Sequence, residues 1–197
     1  MEKNNLREKK KLQFRQTILD AAAKEFETRG FANTSVSNIM QTADLGVGTF
    51  YNYFSSKEEV LMNLVKNIFA QVEEKVRAQE EKKSSSLEIL SIACEYTAEL
   101  LDENRFVLPL LMTAAVHSDK PELSQKSLSP GFSRIFHEVI LRGQESGEIR
   151  SDIHSDLIAE MFHSIYQAAS FSRLKISFKE NVRLKVKILL DGIVNRK

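Results

Sequence analysis

Apolar residues in this chain recur at three- and four-residue steps, and nowhere does a strand-like alternation run for a useful length. Phe14, Ile18, Ala22 and Phe26 stand four apart and predict a first helix from about Leu12 to Arg29. Gly30 with Phe31 behind it reads as a left-handed stop with its hydrophobic contact. A second helix begins at Thr34 or Ser35, with Val36, Ile39, Met40 and Ala43 on one face. "ADLG" breaks that pattern, Leu45 plugs the turn, and a third short helix spans about Val47 to Phe54. Ser56-Lys57-Glu58-Glu59 has the form of a capping box. It opens a long helix through Leu61, Leu64, Val65, Ile68, Val72 and Val76.

Helical spacing continues to the C-terminus. Ser85-x-x-Glu88 caps a helix carrying Leu87, Leu90, Cys94, Thr97 and Leu101, and a segment near Arg105 to His117 should kink at Pro109. Ser129-Pro130 reads as an N-cap with proline in the first helical position, before Phe132, Ile135, Phe136, Val139 and Ile140 and a stop at Gly147. Two apolar helices follow, near Ser155 to Leu174 and from the Ser177-x-x-Glu180 box to about Asn195. The pattern predicts an all-α fold of roughly nine helices: a three-helix N-terminal head on a larger C-terminal helical bundle.

Composition agrees. Seven Gly and three Pro in 197 residues suit long helices, and 42% hydrophobic with 28% charged residues suits a packed core. Cys94, the single cysteine, sits in an apolar helical pattern and is read as a buried, inert thiol. The N-terminus leads into no apolar signal region and no run is long enough to span a membrane, so a reducing cytoplasm is the expected location. Net charge is only +1, but residues 1–57 hold nine Lys/Arg against six Asp/Glu, which leaves the remainder acidic.

Two short helices joined by a tight turn, with a helix packed before them, form a helix-turn-helix, whose second short helix lies in the major groove. Gly46 would then enter the helix, and Gly48, lacking a Cβ, would let backbone approach DNA. A crowded helix–helix contact explains Gly48 equally well at this stage. Thr49 offers a hydroxyl and a methyl, Tyr51 and Tyr53 offer phenols, and Lys57 offers charge, while Phe50 and Phe54 anchor the helix in a small core. Arg7, Lys9, Lys10, Lys11 and Arg15 form either a solubilising tail or an arm that follows phosphate or enters the minor groove.

The stretch "TSVSNIMQTADLGVGTFYNYFSSKEEVL", with the Arg29-Gly30-Phe31 exit before it, resembles the N-terminal signature of the TetR family of bacterial transcriptional regulators. The resemblance implies a DNA-binding domain over residues 1–57 and an effector-binding, dimerising domain over 58–197. It implies phosphate contacts from Thr34, Ser35 and Ser37, the last able to reach a base. Val47, Gly48 and Thr49 would face the major groove, and Tyr51, Tyr53 and Lys57 would hold the backbone. Position 46, commonly a capping Ser, is Gly, and position 47, often polar or basic, is Val. Polar base readout there is thin, and apolar contact to thymine methyls takes part of the load.

By the same resemblance the chain is a homodimer on a near-palindromic operator, a repressor released by a small, largely apolar effector. Leu157, Met161, Ile165, Val186, Leu189, Leu190 and Ile193 would form the subunit interface. Tyr96, Phe106, Met112, His117, Phe132, Phe136 and His163 are the candidate pocket lining. The long helix after residue 57 would carry the switch from body to head. No cofactor, metal or catalytic group is expected: phosphate-loop and zinc spacings are absent, and Glu160-Met-Phe-His163 has no second copy with which to build a di-iron site. The alternative is a helical ligand-binding or adaptor protein whose head does not bind DNA specifically.

Overall fold

The computed structural model describes residues 2–108 and 125–195, and the side chains of 7–108 and 134–195. Contacts divide the chain into two units, Met1–Lys66 and Asn67–Lys197.

The first unit is built from α1 (Glu2–Arg29), α2 (Val36–Thr42), α3 (Val47–Phe50) and the opening turns of α4 (Lys57–Glu81). Helix α1 starts about ten residues before the apolar pattern does, because residues 2–11 contain good helix formers and neither Gly nor Pro. It ends at Gly30, whose φ of 75° is the left-handed conformation a side chain resists, and Phe31 turns its ring edge onto Phe26 at 5.2 Å. Ser35 rather than Thr34 caps α2. Its hydroxyl accepts from the Asn38 amide at 3.1 Å, and the Asn38 side chain accepts from the Ser35 amide at 3.0 Å. The Leu45 amide donates to the Met40 carbonyl at 3.0 Å and closes the turn between α2 and α3.

Helix α3 is shorter than the sequence pattern suggests. After Phe50 the bonds tighten, with Asn52 donating to Thr49 and Tyr53 to Phe50, so residues 51–53 form turns rather than another α-helical turn. Ile18, Leu19, Ala22, Phe26, Ile39, Met40, Phe50, Phe54 and Leu61 make the buried core of this unit. Truncating a core aromatic such as Phe50 to Ala would cost about 3–5 kcal/mol. The capping box at α4 is displaced by one residue. Ser56 accepts from the Glu59 amide at 3.2 Å, but the Glu59 carboxylate reaches back to Ser55, accepting from its amide at 2.6 Å and its hydroxyl at 2.8 Å.

The second unit holds the rest of α4, then α5 (Ser86–Glu103), a 3₁₀ turn (Arg105–Val107), α6 (Gln125–Ser146), α7 (Ser155–Ser170) and α8 (Phe178–Ile193). Among the described residues the only bridge is a single antiparallel pair, Ile149 with Val194. Helix α6 begins five residues before Pro130, so that proline lies inside the helix instead of opening it. At the sixth residue of the helix it removes one bond, to the Lys126 carbonyl. The Pro109 kink falls outside the described residues.

Helices α5 and α8 pack together, as do α5 with α6, α6 with α7, and α7 with α8. Leu90, Cys94, Phe136, Ile140, Ile158, Phe162, Val182 and Val186 fill the space between them. Burial pushes the Cys94 thiol well up, as expected of an inert cysteine, and the Tyr166 hydroxyl donates to the Cys94 carbonyl at 3.2 Å. Gly143 admits the α5 start: a Cβ there would meet Ile149 at 2.5 Å and Ser86 at 2.9 Å.

Candidate nucleic-acid interface

The turn-and-helix segment presents one face with little large side-chain bulk on it. Ser35, Ser37, Val47, Gly48 and Tyr51 are exposed, Thr49 and Tyr53 are half-buried, and Tyr51 keeps 63% of its surface free. Asn33, Ser35, Tyr51, Ser55, Ser56 and Lys57 share one open groove. Ser55 and Ser56 join this face, although the sequence pattern singles out only Ser56, as a cap, and gives Ser55 no role. Their signal was visible in retrospect, since hydroxyls beside a helix start are suited to phosphate.

The two glycines separate here. Nothing lies within 4 Å of a Cβ built on Gly48, so no helix–helix contact requires its absence. Its backbone is left open to an approach from outside the chain. Gly46 has φ −67° and ψ 139°, an ordinary extended cap that any residue adopts. Its expected role as a conformational entry point is therefore corrected.

Two expected phosphate ligands are already occupied. Thr34 is 2% exposed, and its hydroxyl donates to the Gly30 carbonyl at 2.9 Å and the Glu25 carbonyl at 3.2 Å. It ties the exit of α1 to the start of α2 and its side chain is not free for DNA. The Lys57 ammonium donates to the Phe31 carbonyl at 2.9 Å and the Thr34 carbonyl at 2.8 Å, and it stands 4.6 Å over the Phe31 ring. Two of its three donors therefore hold the head together, and only the third is left for phosphate.

The basic arm is a helix, not an extended strand. Arg7, Lys10 and Lys11 line a shallow groove with Phe14 and Tyr53, whose rings lie 6.4 Å apart. Arg15 is engaged within the head: its guanidinium bonds the Asn63 side chain and sits 4.9 Å over the Phe54 ring. Glu25 is held below the usual carboxylate range, first by the Thr42 hydroxyl (2.7 Å) and then by Arg29. Glu59 is lowered too, first by the Ser55 amide and then by its hydroxyl.

In the second unit the expected interface residues divide. Leu157 and Met161 are exposed on α7, but Ile165, Val186, Leu189 and Ile193 are buried in the subunit's own core, and Leu190 is half-buried. Helical period explains the error: on α8 the residues one step round from Val186 and Leu189, namely Leu184 and Ile188, face outward, with Ile188 73% exposed. Of the expected pocket lining, Phe106 and Phe136 are buried, Tyr96 is half-buried, and His163 is half-buried with its pKa lowered by desolvation. The Phe136 ring stacks on Phe162 at 5.6 Å. Met112 and His117 lie outside the described residues, as does the Phe132 side chain.

Comparison with known proteins agrees with this geometry. Residues 18–64 match the family model "Bacterial regulatory proteins, tetR family". The fatty acid metabolism regulator protein of Bacillus subtilis is 28% identical over 148 residues, covering 73% of this chain and 75% of that protein. A crystal structure of the regulator FadR from Bacillus subtilis in complex with stearoyl-CoA superposes with a TM-score of 0.75 at 23% identity, covering 90% of this chain and 98% of that one. The Thermus thermophilus FadR repressor in complex with lauroyl-CoA gives 0.68 at 22% identity, covering 93% and 96%. With a helix-turn-helix face whose bare position at Gly48 serves no internal contact, and with that match over residues 18–64, the head is similar to the DNA-binding domain of TetR-family regulators.

Proposed function

We propose that this chain is a homodimeric transcriptional repressor that leaves a near-palindromic operator when its body binds an acyl thioester of coenzyme A. The observation that carries the effector class is that two solved relatives, matched over nine-tenths of this chain, hold lauroyl-CoA and stearoyl-CoA. The DNA-binding domain takes residues 1–57 and the effector and dimer domain residues 58–197. Ser35, Ser37, Val47, Gly48, Thr49, Tyr51 and Tyr53 meet DNA, with Lys57 adding one donor. Leu157, Met161, Leu184 and Ile188 meet the second subunit, which sets two recognition helices about one helical turn (~34 Å) or more apart. The protein works in the cytoplasm, where both DNA and acyl-CoA are found.

Release requires that the effector bind one body shape better than another, and α4 is the element continuous between the two units. The test is binding of the purified chain to labelled DNA from upstream of its own gene, with scrambled DNA as control. Lauroyl-CoA, stearoyl-CoA, free CoA and free laurate are then added in turn. The reading expects selective binding that an acyl-CoA abolishes and free CoA does not. A DNA complex that survives saturating amounts of every acyl-CoA would overturn the effector class while leaving the regulator intact.

A further inference from the structure

The base-facing end of the recognition helix carries almost no hydrogen-bonding side chains. Gly46 and Gly48 have none, and Val47, the first residue of α3, is 45% exposed with an isopropyl group free of the head's core. Thr49 adds a methyl beside its hydroxyl and is half-buried. The exposed amide of Asn52 comes only after α3 has ended. No Arg, Lys, Gln or Asn stands at 46–49, so the bidentate contacts that identify guanine and adenine in the major groove have no source in that turn. An exposed valine on a surface that meets DNA gains only by covering an apolar group, and the apolar group a major groove offers is the thymine C5-methyl.

We propose that Val47 reads a thymine methyl in each operator half-site, so that specificity at that base pair is recognition of a methyl group rather than of a hydrogen-bond pattern. Gly48 next to it makes this possible. A Cβ built there meets nothing in the protein, so the bare backbone brings the Val47 side chain close to the groove floor. The inference rests on the chain being a sequence-specific DNA binder. Covering one methyl is worth about fourfold in affinity per half-site, on the order of fifteenfold for two.

The full-length chain is first used to select binding sequences from a random duplex library. Each thymine of the enriched site is then replaced by deoxyuridine, which removes the methyl and leaves base pairing unchanged. The expected result is one position per half-site at which uracil weakens binding about fourfold, and at which 5-methylcytosine paired with guanine binds better than plain cytosine. With Val47→Ala the same uracil replacement should cost nothing, while replacements elsewhere keep their effect. Val47 is exposed, so this variant keeps the fold; a circular dichroism melt checks it. A half-site insensitive to uracil at every thymine, or an uracil effect unchanged in Val47→Ala, would overturn methyl reading alone. A library from which no sequence is enriched would overturn specific DNA binding and the inference with it.

Discussion

Phe50 in the head and Phe136 in the body are both fully buried aromatic residues, yet the surfaces above them are built for different company. Over the Phe50 core stand Ser35, Ser37, Gly48 and Tyr51, with Val47 the exposed aliphatic side chain of that face. Beyond the Phe136 core, α7 and α8 leave Leu157, Met161, Leu184 and Ile188 uncovered, a row at helical spacing. Small and hydroxyl-bearing side chains suit a polyanion whose grooves must be approached closely. Aliphatic rows do not, since each Å² left in water forgoes about 25 cal/mol that a second apolar surface would recover. Hence one surface should tolerate extra polarity and fail with extra bulk, whereas the other should do the reverse.

The sharpest break of that comparison is bulk in the head. Gly48→Leu should leave the melting temperature unchanged or raised, because a Cβ there meets nothing and Leu is the better helix former by about 0.5–1 kcal/mol. Operator affinity should fall by more than about a hundredfold, since the side chain holds the helix off the groove floor (about 3 kcal/mol in binding terms). Measured together by calorimetry and DNA titration, a stable variant that still binds would show that Gly48 does not touch DNA.

Polarity in the body comes next. Ile188→Glu puts a charge on the most exposed aliphatic residue of α8 and should shift sedimentation from dimer to monomer at micromolar concentration. The same change at Ser37, exposed on the other face, should leave the association state alone. Dimers that persist with Ile188→Glu would place the subunit contact elsewhere. Smaller still is Lys57→Met. Losing two bonds to the Phe31 and Thr34 carbonyls should cost the head about 1–2 kcal/mol, discounted for partial exposure, and lower its melting temperature. An unchanged melt with weaker DNA binding would instead make Lys57 a phosphate ligand alone.

The same contrast explains what could be read without coordinates. The head is legible because its elements are set by local chemistry: Ser35 at a cap, Gly30 at a stop, Leu45 at a turn. What escaped was where a polar group is used. Thr34 and Lys57 look alike in sequence whether they face water or a carbonyl, and only the fold brings Phe31 and Thr34 to the Lys57 ammonium. In the body the hydrophobic period identified α8 correctly but could not say which apolar row faces its own core. Val186 and Leu189 turned inward, Leu184 and Ile188 outward, and a helix apolar on more than one side is ambiguous by nature. Pro130 misled because a proline preference for the first helical position cannot exclude a start farther upstream, and the helix begins at Gln125.

Acid should separate the two units by the smallest but most selective effect. His163 in the body has its pKa lowered from 6.5 by desolvation, so below that value the unfolded chain takes up a proton that the folded one resists. Its contribution is fully present above pH 6.5 and is lost as pH falls through the lower, folded value. In the head Glu25 and Glu59 are lowered from 4.5, and their contribution persists until pH drops below that range, where protonation frees the Thr42 and Ser55 partners. Amide protection, corrected for the intrinsic pH dependence of exchange, should therefore fall in α5 to α8 before it falls in α1 to α3 as pH drops from 7 to 5. His163→Gln should flatten the body's response and leave the head's unchanged. Protection that falls equally in both units, or a body response that survives His163→Gln, would mean that the acid sensitivity of the body has another source than this imidazole.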